Sequence, residues 1–321
     1  MITGLLEIQE LMTTKLPNLI IAGVIKGGTT SLYSYLSNHP DICCSTVKET
    51  CYFHTYRYGK PNSRYQQSTN PFIQYQQFFA HCQDQAYIME ATPGYFEGGR
   101  ALAGEIKKQL GERVKIIIVL REPINRLTSF FKFKKSMLEL SEDLSFEQYI
   151  HQCESLPISE KVKQENNIYW GIDGGFYSNY LEEWFAVFGD SLKVLFFEHL
   201  TSKPRIVLSD ICTWLSIDKS IFDSYVFSVE NKTVGYKYKS LQKLALSVNA
   251  KAEQTFRANP QIKKILRAIY YSVNGASRRE EISQSTTDYL KTVYAPYNKL
   301  LAKQLSSRGY IALPDWLADV L

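Results

Sequence analysis

The stretch from Asn18 to Ser31 reads NLIIAGVIKGGTTS, and its three parts decide the fold. The apolar run Leu19–Val24 has the pattern of a buried strand. It breaks at Lys26, Gly27 and Gly28, passes through Thr29, Thr30 and Ser31, and resumes as a helical pattern from Leu32 to Leu36. Strand, glycine loop and helix start make an anion cradle. The first N–H groups of a helix have no partner within it, and the helix dipole favours negative charge there. The two glycines let the backbone approach an anion closely. A nucleoside-triphosphate loop reads G-x-x-x-x-G-K-[ST]. Gly23 and Gly28 have that spacing, but Thr29 stands where the lysine belongs, and the lysine lies upstream at Lys26. The loop therefore offers N–H and O–H donors to a phosphate or sulfate, without a lysine placed for a triphosphate. The plainer alternative is a tight strand-to-helix turn with no ligand.

Working outward, three more apolar runs read as buried parallel strands: 86–90, 114–120 and 192–197. Helical patterns separate them. One follows Thr29 and ends at Pro40; a second covers 100–110, with Gly111 as its stop. Pro123 starts a third that runs through Lys135, and Tyr177, Leu181, Trp184, Phe185 and Phe188 form the core-facing stripe of a fourth. Strands alternating with helices give an α/β fold with a parallel sheet and right-handed crossovers. Ligands in such sheets bind beyond the C-terminal ends of the strands. The polar, tyrosine-rich or charged stretches at about 56–77 and 136–170 read as insertions over that crevice, in a single domain spanning 1–321. The last third, from about Leu241, is helical and lysine-rich.

Bulk properties set bounds. The chain has 321 residues, 45% hydrophobic, and a net charge of +5, which suits an anionic small ligand and gives no independent argument for nucleic acid. No run approaches the roughly 18 apolar residues of a membrane span. No basic segment followed by an apolar core is visible at the N-terminus. The six cysteines show neither CxxC pairs nor histidine spacing for zinc. They are expected to be reduced core residues of a cytoplasmic protein.

A second anion site is legible at the end of the third strand run, where Arg121, Glu122 and Pro123 are followed by Arg126 and Ser129. An arginine fork beside a hydroxyl suits a phosphate. A triphosphate hydrolase would end a late strand in an acid for magnesium; this strand ends in arginine. The alternative is a surface Arg–Glu pair next to a helix-starting proline. Two anion sites on one crevice fit a nucleotide with phosphates at two separate positions, as in 3′-phosphoadenosine 5′-phosphosulfate.

These segments, in this order, resemble the sulfotransferases that use that donor, in the branch of the heparan-sulfate N- and 3-O-sulfotransferases and their bacterial relatives. IIAGVIKGGTTSLYSYLSNHPDI is similar to the family's 5′-phosphosulfate loop, and REPINRLTSFF to its 3′-phosphate element. Lys48-Glu49-Thr50-Cys51-Tyr52-Phe53 resembles the element whose glutamate is the catalytic base, and the helix and strand from Gly174 to Leu200 resemble those completing the nucleotide core. The resemblance implies a P-loop-like, three-layer fold and sulfuryl transfer without metal. It assigns catalysis to Glu49 and Lys26. It assigns the nucleotide, and its product adenosine 3′,5′-bisphosphate, to Lys26, Gly27, Gly28, Thr29, Thr30, Ser31, Arg121, Ser129, Tyr177 and a basic loop with Lys232 and Lys237. Tyr52, Phe53, His54, Glu90 and Tyr95 are the expected acceptor contacts, and His54 is the alternative base. The heparan enzymes carry a lysine after the glutamate that matches Glu90, but here Ala91 occupies that position, which weakens a polyanionic acceptor. A small molecule or saccharide is the expected acceptor. The competing readings are a P-loop nucleotide kinase and a non-catalytic nucleotide-fold binding module.

Overall fold

The computed structural model describes residues 15–57, 60–62, 65, 69–161, 163–227, 235–252, 256, 260–276 and 282–320. Its centre is a parallel sheet of β1 (Leu19–Gly23), β2 (Ile42–Cys44), β3 (Tyr87–Ala91), β4 (Lys115–Leu120) and β5 (Leu192–Phe196). The strands lie in the order β2-β3-β1-β4-β5. Four of the five come from the apolar runs. The fifth, β2, corrects the count of four: a three-residue edge strand is too short to carry a periodic signal.

Alternation along β1 and β4 builds two cores. Ile20, Ala22, Ile116, Ile118 and Leu120 face one side and pack with Trp184, Phe185 and Leu301. Leu19, Ile21, Ile117 and Val119 face the other and pack with Leu32, Leu36, Leu208 and Ile211. The first side is covered by α3 (Gly99–Leu110), α6 (Ser178–Phe188) and α11 (Gln284–Ser306); the second by α1 (Thr29–Leu36) and α8 (Pro204–Leu215), which follows the short α7 (Phe197–Ser202). This is a three-layer α/β fold. A third core joins α4 (Pro123–Ser136) to α5 (Phe146–Ser155) through Leu127, Phe131, Phe146 and Tyr149. A fourth, around Tyr75, Phe79 and Ile88, seats α2 (Pro71–Gln77) against the β2 edge.

The cysteine expectation is corrected here. Cys43 on β2 and Cys82 are joined by a disulfide, while Cys51, Cys153 and Cys212 are buried free thiols and Cys44 is partly buried. The pairing joins an edge strand to the turn after α2, two positions 39 residues apart, so no local spacing announces it. Among the described residues no helix is long and apolar enough to cross a membrane.

Beyond the sheet, α9 (Lys239–Lys251) and α10 (Pro260–Asn274) form a helical pair. A two-residue ladder, Gly235–Tyr236 against Gly275–Ala276, ties its base. Buried Asn274 clamps that base: its side chain accepts from the Tyr238 N–H at 2.8 Å and donates to the Tyr238 carbonyl at 3.2 Å.

Candidate active site

The loop after β1 adopts its shape for packing reasons that leave its donors facing outward. Lys26 and Gly28 both have left-handed backbone, φ 68° and 92°. A Cβ on Gly27 would sit 2.4 Å from the Val119 carbonyl oxygen of β4, so only glycine lets the loop lie on the sheet. The first turn of α1 has no side-chain cap. Thr29, Thr30 and Ser31 at its start line a cavity of about 1840 Å³, together with residues that follow the C-terminal ends of the strands.

At the tip of β4, the Arg121 side chain donates from Nη1 to the Lys26 carbonyl at 3.2 Å and lies over the Phe197 ring, 4.3 Å from its centroid. The backbone carbonyl of Arg121 accepts from the Tyr177 hydroxyl at 2.8 Å. Glu122 caps α4 by accepting from the N–H groups of Ile124 and Asn125. The Glu122 N–H in turn donates to Glu198 at 2.9 Å, which couples the β4 and β5 tips. The Arg121 Nε is buried without a hydrogen-bond partner among the described residues. Lys26 Nζ stands 4.6 Å from the Phe133 ring centroid. Burial first, and then the positive charge of Arg121, bring the Lys26 pKa down to about 8; Glu49 and Lys48 act in opposite directions on it.

Glu49 sits on the segment after β2, a third of its side chain exposed, 3.2 Å from Lys48 Nζ. His54 follows on the same wall. Its Nε2 is 3.0 Å from the Gly94 carbonyl, and burial lowers its pKa, against the opposing pull of that hydrogen bond and of Glu49. The cavity thus brings together Lys26, Gly28, Thr29, Thr30, Ser31, Glu49, Phe53, His54, Arg121 and Ser129.

Other expected contacts do not line the cavity, and most of them are buried. Glu90 is fully buried; the hydroxyls of Thr50 and Tyr75 donate to its carboxylate, the latter at 2.9 Å, and burial raises its pKa to about 7. Tyr95, also fully buried, lies 3.3 Å from the Thr50 hydroxyl. Tyr52 stacks on Tyr75, with ring centroids 4.2 Å apart. Tyr177 is 1% exposed, and Gly27 packs under the loop. Gly27, Tyr52, Glu90, Tyr95 and Tyr177 are not among the residues that line the cavity. Lys237 is exposed and away from the cavity, with its N–H on the Asn274 carbonyl, and Lys232 lies outside the described residues. Of the lysines on α4, Lys134 is buried and paired with Glu139 at 2.6 Å.

Sequence reasoning missed Glu97. It lines the cavity beside Tyr180, and burial raises its pKa to about 7 against the pull of Arg126. Nothing in Phe96-Glu97-Gly98 marks it. Gln242 and Tyr270, which roof the cavity, were equally silent; the Tyr270 hydroxyl donates to Gln242, whose amide donates to the Ser136 carbonyl.

A family model described as the sulfotransferase domain matches residues 16–258. The chain is 32% identical over 141 residues to the membrane-associated sulfotransferase kil1 of Dictyostelium discoideum, covering 43% of this chain and 28% of that protein. It is 27% identical over 226 residues to heparan sulfate glucosamine 3-O-sulfotransferase 3B1 of Homo sapiens, covering 69% and 51%. Over 319 residues it is 22% identical to the bifunctional heparan sulfate N-deacetylase/N-sulfotransferase 1 of Caenorhabditis briggsae, covering 95% and 32%. The matched region therefore spans about half or less of these relatives. Among solved structures, a sulfotransferase from Alicyclobacillus acidocaldarius shares the fold, with TM-score 0.55, 22% identity, and coverage of 75% of this chain and 95% of that one.

Proposed function

The chain belongs to the sulfotransferase domain family, and on that premise we propose that it transfers the sulfuryl group of 3′-phosphoadenosine 5′-phosphosulfate to a hydroxyl or amine of a small-molecule or saccharide acceptor, with no metal in the step. One observation carries the reading: Lys26 and Arg121, two partly buried cations joined through the Lys26 carbonyl, share a cavity with the carboxylate of Glu49.

The residues present fit the donor. Two cations converge where burial already depresses one pKa, and an anion relieves that tension. The uncapped start of α1 and the hydroxyls of Thr30 and Ser31 suit a phosphosulfate; Arg121, its Nε without a hydrogen-bond partner among the described residues, and Ser129 suit the 3′-phosphate. The cavity exceeds the roughly 300–1,000 Å³ of ordinary ligand pockets, leaving room for a second substrate.

When bound, the nucleotide supplies an activated sulfuryl group on an anionic leaving group. Lys26, a largely buried cation, would place positive charge where negative charge grows on the departing oxygen. Glu49 takes the acceptor's proton, a contribution of roughly 10²–10⁴-fold for a positioned base. His54 has its Nε2 against the Gly94 carbonyl, which favours Glu49 for that task.

Calorimetry of adenosine 3′,5′-bisphosphate in EDTA, beside ATP with Mg²⁺, tests the reading. Metal-independent binding of the bisphosphate alone is expected. Preference for ATP with Mg²⁺ would overturn it in favour of a kinase.

A further inference from the structure

The α9–α10 pair carries a surface that the donor site does not explain. Nine of the sixteen large apolar residues exposed among the described residues lie between Tyr238 and Val273. On α10, Ile262, Ile265, Ile269 and Val273 follow i, i+3, i+7, i+11 and form one exposed stripe. On α9, Leu241, Leu244 and Val248 repeat at i, i+3, i+7; they are exposed and also line the cavity mouth together with Leu266. Leu266 lies at i+4 from Ile262 and i−3 from Ile269, so the exposed stripe of α10 shares a face with a residue of the mouth of the cavity that holds Lys26 and Glu49.

Charge is the second observation. Residues 239–274 contain seven Lys and Arg and a single acid, Glu253. That net of +6 exceeds the +5 of the whole chain, so the rest of the protein is close to neutral. Lys239, Lys243 and Lys251 are all exposed on α9, and Tyr238, 58% exposed, stands at its start. A strongly amphipathic, basic helix pair with an aromatic rim matches an anionic bilayer surface: hydrocarbon accepts the apolar stripe, lipid headgroups the lysines.

We propose that the α9–α10 pair docks on an anionic bilayer and sets the cavity mouth against it, so that the acceptor is an amphiphile whose hydroxyl or amine reaches Glu49 while its hydrocarbon lies along Leu241, Leu244 and Val248. The docking stands independently of the catalytic reading; the acceptor class rests on it. The pair lies on the membrane and does not cross it. Its anchors hold the mouth at a fixed height: the ladder and the Asn274 clamp at one end, and the link from Gln242 to the Ser136 carbonyl on α4.

The test is co-sedimentation of the full chain with vesicles of phosphatidylcholine alone or with about a third phosphatidylglycerol. Binding to the anionic vesicles is expected, with loss at about 0.5 M salt, where screening is strong. Ile265→Asp with Ile269→Asp, and separately Lys239→Glu with Lys243→Glu, should each weaken it by at least about tenfold. All four positions are exposed, so the variants should keep their circular dichroism and their affinity for adenosine 3′,5′-bisphosphate. Equal binding to neutral vesicles, no sedimentation of the parent chain, or indifference to both double variants overturns docking. A dimer that Ile265→Asp with Ile269→Asp disperses, without vesicle binding, assigns the stripe to a second copy and also overturns it. If vesicles bind but the bisphosphate does not, docking survives and the sulfuryl-transfer reading fails.

Discussion

Arg121 donates to the backbone carbonyl of Lys26 at 3.2 Å, so the residue expected to hold one phosphate also shapes the loop expected to hold the other. The two halves of the proposed nucleotide site are thus mechanically linked. Replacing Arg121 by alanine should weaken adenosine 3′,5′-bisphosphate by about tenfold to a hundredfold, the scale of a charge-assisted fork. Adenosine 5′-monophosphate, lacking the 3′ group, should lose much less. Calorimetry with both ligands separates the two effects; equal losses would mean that Arg121 serves the loop alone.

Glu49→Gln should leave affinity for the bisphosphate within about twofold while turnover falls roughly 10²–10⁴-fold. The comparison is a steady-state assay beside calorimetry on the same preparation. Turnover within about threefold of the parent would move the base to His54.

Lys26 offers a proton-counting test. Its pKa is lowered to about 8 in the free protein, and a bound anion raises it. Binding at pH 8 should therefore take up a fraction of a proton, and affinity should fall as pH rises above 8. Calorimetry in buffers of different ionisation enthalpy measures the uptake. Lys26→Met should abolish it.

Glu90 gives the opposite kind of linkage. Its folded pKa, raised to about 7, exceeds the ordinary 4.5, so the proton is held more tightly in the folded state. The stability from that held proton is complete below pH 4.5 and lost as pH rises to about 7. Over that window the protein should lose up to about 3 kcal/mol from this group. Thermal melts of Glu90→Gln should show a flatter profile between pH 5 and 8 than the parent.

These cases show what was legible and why. β1, β4 and the glycine loop stand in local patterns, apolar runs and paired glycines, whereas Glu49 is singled out only by the family resemblance. Glu90 sits at a strand end, where ligands gather, and reads as a contact. Its burial depends on Thr50 and Tyr75, which only the fold delivers. Glu97 depends likewise on α6, which places Tyr180 beside it. β2 is three residues on an edge, and its disulfide partner lies beyond Glu49 and α2 in sequence.

That disulfide is itself testable. Closing a loop of this length removes unfolded-chain entropy amounting to about 4 kcal/mol on the chain-entropy model. Cys43→Ser should lower the melting temperature by several degrees, and dithiothreitol should do the same to the parent but not to the variant.

The same bond gives the molecule a division of labour. Glu49, Phe53 and His54 all lie between Cys43 and Cys82, on a stretch whose two ends are covalently closed beside the sheet edge. Lys26, Arg121 and Ser129 lie outside it. On the proposed reading, the strand-bound frame would hold the donor, and the stapled ring would present the base and one wall of the acceptor pocket. On that reading, substitutions inside the ring would change acceptor choice, and substitutions in the frame would change donor binding.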